Sequence, residues 1–292
     1  FGIPISGTMA HSWIMFFEDE FAAFKKYAEL YPQATVLLVD TYDVLHSGIP
    51  NAIRTAHEVL APRGHRLAGV RIDSGDLAYL SKRIRTMLDD AGLADCKIIL
   101  SNSLDEFTIS SLLLQGAQVD SFGVGERLIT AKSDPVFGAV YKLVAVEKDG
   151  VFAPRIKMSE NVEKLTNPGI KDLYRIYDRH GKAVADMLAL QGEEIDLTKP
   201  FRYVDPRKPW KNRFFEGVTA VNLRRPYMRA GKRVEQLPTL EEVRRYVQKQ
   251  LTEEIWPEEQ RFENPHRHYL DMTPMYYEIK MGLLDDMRGK HS

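Results

Sequence analysis

Four short apolar runs mark the first half of the chain, and each of them ends in polar, charged or glycine residues. They cover residues 35–39, 67–70, 97–100 and 119–122. Apolar runs of this length, bounded by turn residues, are typical of buried strands. Between them, the spacing of apolar positions predicts helices over roughly 48–60, 76–91 and 105–115. Strands that alternate with helices indicate parallel βα units, and in barrels of such units the functional groups lie at the carboxyl ends of the strands.

The pattern changes after about residue 135. Residues 139–147 alternate and include aromatic and β-branched side chains, and Lys148-Asp149-Gly150 then supplies a hairpin turn. Further strands are predicted over 152–158, 171–178 and 183–190, with another turn at His180-Gly181. From about Lys199 the chain is rich in proline and arginine, and helices are predicted over 239–255 and 274–288. The sequence thus predicts a βα part at 1–135, an antiparallel, sandwich-like β part at 136–198 and a C-terminal region with helices at 199–292.

Composition restricts the class of protein only moderately. The 292 residues include 40 basic and 41 acidic side chains, and this balance argues against a general nucleic-acid binder. A single cysteine, Cys96, excludes an internal disulfide framework and fits a reducing cytoplasm, and we expect it to be a small packed residue. No apolar run approaches the roughly 18 residues of a membrane span. The chain opens at Phe1 without a methionine or a signal-peptide pattern, so we expect it to be the C-terminal part of a longer protein.

One histidine stands at a chemically exposed point of the chain. His11 lies in the segment Gly7-Thr8-Met9-Ala10-His11-Ser12, just before the apolar and aromatic run 13–17, which predicts a helix start. Small residues before a helix leave backbone N–H groups accessible to anions. A histidine at this point can move a proton or accept a phosphoryl group on a ring nitrogen. The alternative is a plain helix N-terminus with a satisfied histidine beside it.

The four strand ends carry reactive side chains. Asp40-Thr41-Tyr42-Asp43 follows the first run, Arg71-Ile72-Asp73-Ser74-Gly75-Asp76 the second, Ser101-Asn102-Ser103 the third and Gly123-Val124-Gly125 the fourth. The carboxyl ends of parallel strands meet at one edge of a sheet. Four consecutive ends of this kind therefore favour a functional site over a purely structural pattern.

These residues carry a family resemblance. Gly7–Ser12, Leu37–Asp43, Gly69–Asp76, Phe122–Gly125 and Gly138–Val144 resemble nicotinate phosphoribosyltransferase motifs, in the order of that family and over most of residues 1–190. The resemblance implies an α/β fold, namely part of an irregular (β/α) barrel of the type II phosphoribosyltransferase kind. It also implies that nicotinate and phosphoribosyl pyrophosphate condense to nicotinate mononucleotide and pyrophosphate, in NAD biosynthesis. ATP would be a co-substrate, hydrolysed through a phosphohistidine at His11, and Mg would accompany the phosphates.

Substrate-binding residues follow partly from the resemblance and partly from chemistry. The resemblance assigns Thr8 and Arg71 to nicotinate, and a guanidinium fork suits a planar carboxylate. An internal ion pair between Arg71 and Asp73 is the alternative. Ser74 is predicted to bind substrate together with Asp73. Asp73 and Asp76 could bind ribose hydroxyls or a Mg ion carried by pyrophosphate.

Asp40 is the predicted partner of His11. A carboxylate bound to one ring nitrogen sets the tautomer and makes the other nitrogen more nucleophilic. The alternative is that Asp40 or Asp43 caps the next helix, and Asp43 is the better cap. A Ser-His-Asp hydrolase using Ser12 is disfavoured, because adjacent Ser12 and His11 diverge and no Gly-x-Ser-x-Gly motif is present.

Phosphate contacts are predicted at the third and fourth strand ends. Backbone N–H groups of a glycine-rich loop bind phosphate, although a bare Gly-x-Gly also fits a simple turn. Glu126 is expected to point away from this loop, towards Arg127. The resemblance adds lysines for nucleotide phosphates, against the alternative of a solvated surface. The predicted phosphate-binding set is Ser101, Asn102, Gly123, Val124, Gly125, Lys142, Lys157 and Lys164.

Two classes of function stay open at this point. One is the ATP-coupled phosphoribosyltransferase; the other is a non-catalytic or regulatory barrel fragment that binds a phosphorylated metabolite. A quinolinate phosphoribosyltransferase would lack the ATP-linked histidine and the long C-terminal region.

A homodimer is the expected assembly. An aromatic set near the end of the chain serves either the dimer interface or internal packing: Trp256, Phe262, Tyr269, Tyr276 and Tyr277. The cluster His266-Arg267-His268 is interpreted as surface or as a contact between subunits.

Overall fold

The computed structural model describes residues 2–157, 165–205, 208, 210 and 212–289. The chain divides into one unit of Ile3–Gly138 and a second of Ala139–Ser292 with the first two residues. Each unit has a sheet of its own, so the fold combines strands and helices throughout and is of the α/β class. The three-part division of the chain stays a prediction. In the described part of the chain, no helix combines the length and apolar character needed to cross a bilayer.

Four parallel strands form the sheet of the first unit. They are β1 (Val36–Leu38), β2 (Gly69–Ile72), β3 (Lys97–Leu100) and β4 (Ser121–Phe122), in the order β1-β2-β3-β4. Every neighbouring pair is parallel. All four predicted strands are confirmed, and their carboxyl ends therefore lie along one edge of the sheet.

Helices connect these strands. The unit contains α1 (His11–Met15), α2 (Glu20–Leu30), α3 (Ile49–Thr55), α4 (Leu77–Asp90), α5 (Glu106–Leu114) and α6 (Glu126–Ile129). A π turn at Val44–Gly48 precedes α3, and further helical turns extend it to Arg63. Aspartate side chains accept backbone N–H groups at four helical starts, namely Asp19, Asp43, Asp76 and Asp105. The three predicted connecting helices are confirmed, and Asp43 rather than Asp40 is the cap.

Apolar side chains of strands and helices form the core of the first unit. Leu37, Val70 and Ile98 on neighbouring strands are fully buried, as are Ile84 and Leu88 on α4. Side chains at i and i+4 lie on the same face of a helix, so Ile84 and Leu88 form one buried stripe. Cys96 is also buried, and burial raises the pKa of its thiol to about 12. It is the small packed residue that the sequence predicts.

The second unit is built on a six-stranded sheet. The hairpin β5 (Ala145–Lys148) and β6 (Val151–Pro154) precedes it, with Asp149 and Gly150 in the turn. The sheet strands are β7 (Lys171–Tyr177), β8 (Ala183–Leu190), β9 (Phe201–Val204), β10 (Asn212–Phe215), β11 (Thr219–Asn222) and β14 (Leu270–Met272). The remaining elements are a short hairpin of β12 (Met228–Arg229) and β13 (Lys232–Arg233), and helices α7 (Leu240–Lys249) and α8 (Pro274–Gly289). Both predicted turns and both predicted helices are confirmed.

Four of the six sheet strands were not predicted from the sequence. β9, β10, β11 and β14 have three or four residues each and lie among prolines and arginines, so no alternating pattern is long enough to identify them. β14 joins the sheet between β8 and β9, parallel to β8 and antiparallel to β9. Its place in the sheet therefore depends on partners 84 residues away in β8 and 68 residues away in β9, which no local pattern contains.

The late aromatic residues divide between packing and surface. Tyr276 is fully buried, and its hydroxyl donates to the Pro168 carbonyl oxygen at 2.7 Å. Tyr269 lies under the Arg213 guanidinium, 3.2 Å from the ring centre. Trp256 and Phe262 stay 39% and 55% exposed. Internal packing thus accounts for Tyr269 and Tyr276, whereas Trp256 and Phe262 keep a large exposed fraction.

The interpretation of His268 as a surface residue was wrong. Its Nδ1 lies 3.1 Å from Glu259 Oε2, and its Nε2 lies 3.4 Å from Asp186 Oδ1. Asp186 in turn accepts two hydrogen bonds from Arg175. The contact with Asp186, and then that with Glu259, raises the pKa of His268 although burial opposes the charged form. The carboxylates come from β8 and from a turn at 257–260, and so only folding brings them to the histidine.

We predict a pH-dependent contribution of His268 to the stability of the protein. Its folded-state pKa is raised above its ordinary value, so the stabilisation is full below the ordinary value. It is lost as the pH rises through the raised folded-state value. The difference in free energy of unfolding between the native chain and His268→Gln should therefore shrink across this interval, as measured by urea unfolding at several pH values.

His266→Gln is the matched control for this measurement. The His266 ring is exposed and contacts the Tyr269 ring edge-on, with no carboxylate contact in the described residues. Its variant should keep the pH dependence of the native chain. A difference for His268→Gln that is constant with pH would contradict the assignment of a charged His268.

Candidate active site

A network of hydrogen bonds joins the carboxyl ends of β1 and β2. Asp40, two residues after β1, has a side chain that is only 1% exposed. Its Oδ2 accepts the backbone N–H of Asp73 at 2.9 Å and the hydroxyl of Ser74 at 2.6 Å. A carboxylate accepting two such bonds holds the chain after β2 at a defined distance from β1. Asp40 is therefore a bridge between two strand ends.

The network continues to β3 and β4. Ser101 donates its hydroxyl to Asp73 Oδ1 at 2.7 Å, so Asp73 links the second strand end to the third. A Cβ placed on Gly123 would lie 3.2 Å from the Ser101 Cβ, which is tighter than ordinary packing. Glycine at this position allows the chain after β4 to approach the chain after β3. All four strand ends thereby meet, as the sequence predicts.

His11 is the first residue of α1 and faces this network. Its ring nitrogen Nδ1 lies 3.0 Å from the Thr41 hydroxyl oxygen. Its Nε2 lies 3.8 Å from Asp40 Oδ1 and equally 3.8 Å from Asp73 Oδ2. The side chain is 39% exposed, so one side of the ring is open to a ligand. The sequence predicted Asp40 beside His11 but placed neither Thr41 nor Asp73 in contact with it.

Anchors on both sides keep α1 in place. Ile14 is fully buried, and the Trp13 indole N–H donates to the Ala23 carbonyl oxygen of α2 at 3.2 Å. Met9, just before the helix, is also buried. A five-residue helix is too short to be stable alone, so these contacts decide where the His11 ring lies.

The helical stretch after β1 passes very close to the strand end. A Cβ on Gly48 would lie 1.9 Å from the Val39 carbonyl oxygen, a distance that no side chain tolerates. Glycine is therefore required here, next to Asp40. The close approach also places Ser47 and Asn51 on the buried carboxylate of Glu20, whose pKa is raised by burial against these hydrogen bonds.

Arg71 contacts the backbone of Met9, the residue next to Thr8. The Arg71 guanidinium donates from Nη2 to the Met9 carbonyl oxygen at 3.3 Å, and its buried Nε has no hydrogen-bond partner among the described residues. Thr8 directly precedes Met9. The described residues show no ion pair between Arg71 and Asp73, because the Asp73 oxygens face Ser101 and His11. The guanidinium thus keeps unused donor capacity beside Met9.

A cavity of about 330 Å³ opens beside Asp73. Its lining comes from the second, third and fourth strand ends: Asp73, Ser101, Asn102, Ser103, Leu104, Gly123, Gly125, Glu126 and Arg127. Asn102 and Ser103 both have left-handed backbones, with φ of 93° and 45°. Non-glycine residues in such conformations cost about 1–3 kcal/mol each and cluster at binding sites. This strained turn shapes one wall of the cavity.

Two of the three N–H groups in the glycine loop remain available for an anion. The Gly123 N–H donates to the Leu100 carbonyl oxygen at 2.7 Å and continues the pairing of β3 with β4. No described hydrogen bond engages the N–H of Val124 or Gly125. An anion in the cavity would therefore meet Val124 and Gly125, whereas Gly123 contributes by its small size.

The expected partner of Glu126 was wrong. Glu126 Oε1 lies 3.4 Å from Lys132 Nζ, and Arg127 instead pairs with Asp105 at 2.8 Å. Asp105 also caps α5, so it couples Arg127 to the start of that helix. Arg127 thus brings a guanidinium to the cavity wall, a contribution that the sequence analysis did not assign to it.

Three of the remaining predicted residues, Asp76, Lys142 and Lys157, do not line the cavity. Asp76 caps α4 by accepting the Tyr79 N–H at 3.0 Å. Lys142 and Lys157 belong to the second unit and are exposed, and Lys164 lies outside the described residues. Within the described ranges, no group of three or more acidic, histidine or cysteine side chains has the arrangement of a metal site.

A larger cavity lies in the second unit and is separate from this chemistry. It measures about 670 Å³ and is lined largely by apolar surface, with Arg175 and His268 among its residues. None of the predicted site residues lines it. We regard the smaller cavity as the site, because it adjoins His11 through Asp73 and carries the strained turn.

Sequence analysis missed Thr41, Glu20 and Arg127. Thr41 stands inside the motif at the first strand end and Arg127 follows the motif at the fourth by two residues, so their position already indicated them. Glu20 carries no comparable signal, because an acidic residue at a helix start is ordinary there. Its burial beside Ser47 and Asn51 emerges only from the packing of α2 against the stretch after β1.

Comparison with known proteins agrees with this geometry. Residues 170–280 match the family model described as the nicotinate phosphoribosyltransferase C-terminal domain. The chain is 42% identical to a nicotinate phosphoribosyltransferase of Bacillus subtilis over 99% of its own length. A Caenorhabditis elegans protein of the same name is 33% identical over 90% of the chain. The chain spans 59% and 47% of these two relatives, about half to three fifths of their length.

Solved structures give the same picture. The crystal structure of human nicotinic acid phosphoribosyltransferase superposes with a TM-score of 0.76 at 27% identity, covering 97% of this chain and 62% of that one. A nicotinate-nucleotide pyrophosphorylase from Pyrococcus furiosus superposes with a TM-score of 0.59 at 24% identity, over 86% of this chain and 56% of that one. At this identity the second likeness concerns the fold alone.

We predict that Asp40→Asn stabilises the protein. Asp40 Oδ1 is buried, has no hydrogen-bond partner in the described part of the chain and shares the His11 ring with the Asp73 carboxylate, so the negative charge is poorly compensated. Asparagine keeps an oxygen for Asp73 and Ser74 and removes the charge. The free energy of unfolding in urea should rise by about 1 kcal/mol at neutral pH.

The same substitution at the exposed cap Asp43 is the control. Asparagine caps helices as well as aspartate does, so Asp43→Asn should change the free energy of unfolding by less than about 0.5 kcal/mol. A fall in stability for Asp40→Asn larger than that of the control would mean that the Asp40 charge is well compensated in the fold.

Proposed function

Because this chain belongs to the nicotinate phosphoribosyltransferase family, we propose that the protein it comes from joins nicotinate to phosphoribosyl pyrophosphate. The products are nicotinate mononucleotide and pyrophosphate, in NAD biosynthesis. The nicotinate ring nitrogen bonds to C1 of the ribose while the bond from C1 to the pyrophosphate oxygen breaks. The observation that carries the proposal is the His11 ring at the joined strand ends, between Thr41 and two carboxylates and beside a cavity.

His11 is the proposed acceptor of a phosphoryl group from ATP. A ring nitrogen bonds to the γ-phosphorus, the bridging P–O bond breaks and ADP leaves. Asp40 and Asp73 stabilise the positive charge that the ring acquires, since both carboxylates lie 3.8 Å from Nε2. Later hydrolysis of the phosphohistidine would drive the condensation forward.

Nicotinate binding is assigned to Arg71 and Thr8. The Arg71 guanidinium has one buried, unused donor and lies beside Met9, so it can form a charge-assisted pair with the carboxylate of the substrate. The Thr8 hydroxyl, whose only described hydrogen bond goes to the neighbouring Met9 carbonyl at 3.3 Å, can turn towards the same ligand.

Phosphoribosyl pyrophosphate is assigned to the cavity. Asp73 and Ser74 are the proposed partners of the ribose hydroxyls, and the Ser101 hydroxyl supports this role of Asp73 by donating to its carboxylate. The N–H groups of Val124 and Gly125 and the Asn102 turn are the proposed phosphate contacts, with Gly123 leaving room for the approach. Mg is proposed to enter with the pyrophosphate as part of the substrate, contacting Asp73 and the Asp76 oxygen that accepts no described hydrogen bond.

Further features of the proposal follow from family membership. The four parallel strands are assigned to an irregular (β/α) barrel of the type II phosphoribosyltransferase kind. Lys142, Lys157 and Lys164 are assigned to nucleotide phosphates. The protein is proposed to work as a homodimer in the cytoplasm, and light scattering of the full-length protein at micromolar concentration tests the assembly.

We predict that His11→Ala abolishes stimulation by ATP and leaves a weak ATP-independent synthesis of nicotinate mononucleotide. Alanine removes the phosphoryl acceptor but keeps the cavity and Arg71. Steady-state assays of the full-length protein with and without ATP measure this. With labelled ATP, the native protein should also take up acid-labile, base-stable label that the variant lacks.

His57→Ala is the control, because His57 is an exposed histidine of the same unit. It should keep both the stimulation and the label. Full ATP stimulation in His11→Ala would remove His11 from the phosphoryl acceptor role.

We predict that Arg71→Ala impairs nicotinate far more than nicotinamide. The loss of a charge-assisted pair with the substrate carboxylate should raise the barrier for nicotinate by about 2–5 kcal/mol, whereas nicotinamide carries no carboxylate to lose. Values of kcat/KM for the two substrates measure this, with Arg83→Ala, an exposed arginine on α4, as the control. An equal loss for both substrates would indicate that Arg71 binds a phosphate or holds the Met9 backbone instead.

A further inference from the structure

The Thr41 hydroxyl is hydrogen-bonded to the His11 ring. Its hydroxyl oxygen lies 3.0 Å from Nδ1, and no other hydrogen bond to the ring is present among the described residues. A hydroxyl can donate or accept, so the distance alone does not say where the proton lies. The direction of this hydrogen bond follows from what faces the other ring nitrogen.

The opposite nitrogen, Nε2, faces two acceptors. Asp40 Oδ1 and Asp73 Oδ2 both lie 3.8 Å away, and ionised carboxylates can only accept. A lone pair on Nε2 would point at two negative oxygens, whereas an N–H there is attracted by both. The neutral ring therefore carries its proton on Nε2, and Nδ1 holds the lone pair.

We propose that Thr41 is a positioning residue for His11, donating its hydroxyl hydrogen to Nδ1. This bond selects the tautomer with the proton on Nε2 and prevents the ring from turning over, which would exchange Nδ1 with a carbon. Thr41 can do so because it follows Asp40 directly, and Asp40 is tied to Asp73 and Ser74 across the sheet. The hydrogen bonds that fix the carboxylates facing Nε2 therefore also fix the position of the Thr41 hydroxyl.

The consequence for the reaction rests on the proposed function. Nδ1 is then the ring nitrogen with an available lone pair, and Thr41 occupies it until a reactant displaces the hydroxyl. Loss of the hydroxyl leaves the ring free to adopt unproductive orientations. The rate of steps at His11 should fall, while the binding of nicotinate at Arg71 should not change.

Nitrogen NMR tests the tautomer without any assay of activity. The ¹⁵N resonances of His11, assigned by their loss in His11→Gln, report which nitrogen carries hydrogen and whether the other accepts a hydrogen bond. We expect a protonated Nε2 and a hydrogen-bonded Nδ1 in the native protein and in Thr41→Ser. Thr41→Val, close in shape but without the hydroxyl, should move the Nδ1 resonance towards that of a nitrogen without a donor. A proton on Nδ1, or a Val variant identical to the native protein, would overturn the proposal.

Kinetics of the full-length protein test the positioning role. Thr41→Val should lower the ATP-stimulated kcat about tenfold, with the KM for nicotinate within about twofold of native, a size in keeping with one hydrogen bond. Thr41→Ser should restore kcat to within about twofold. In the His11→Ala background, Thr41→Val should have no further effect, because the group it positions is gone. Circular dichroism and urea unfolding of each variant separate a loss of fold from a loss of positioning.

The two proposals fail in different ways. If His11→Ala keeps full ATP stimulation, the role of His11 in the proposed function is wrong. The NMR experiment still tests the tautomer of His11, because it does not depend on activity. If His11→Ala loses the stimulation but Thr41→Val keeps a native kcat, the positioning role is wrong and the proposed function survives.

Discussion

The candidate site depends on one buried carboxylate that two strand ends share. Asp40 accepts the Asp73 N–H and the Ser74 hydroxyl, and in this way joins the chain after β1 to the chain after β2. Asp73 then receives Ser101 from the third strand end. Backbone pairing holds the two strands side by side, and this link extends the connection to the residues beyond them, so that the two carboxylates near His11 share one frame.

This arrangement concentrates negative charge around an imidazole. Asp40 and Asp73 both approach Nε2 of His11, and one buried Asp40 oxygen accepts no hydrogen bond from any described residue. Such a cluster costs stability in the resting protein and becomes favourable when the ring is positively charged. The strained turn at Asn102 and Ser103 adds a second local cost beside the cavity. Both features are typical of sites built for a ligand rather than for stability.

Sequence reasoning failed where a contact joins distant segments. Strand β14 and the ion pairs of His268 with Asp186 and Glu259 need partners that no local pattern contains. Arg127 illustrates the same limit on a shorter scale, since its partner is Asp105, the cap of the preceding helix, rather than its neighbour Glu126. The spacing of charges along the chain gives no direct measure of which of them meet in space.

The sequence by itself determined the parallel βα order of the first unit, its helix caps and the set of reactive strand ends. These features are local, since apolar runs, capping aspartates and turn glycines act over a few residues. The tertiary structure alone decided which atoms meet: Thr41 with Nδ1 of His11, and Asp40 and Asp73 with Nε2. Those contacts arise from the register of parallel strands and from the packing of α1, which depend on residues far apart in the chain.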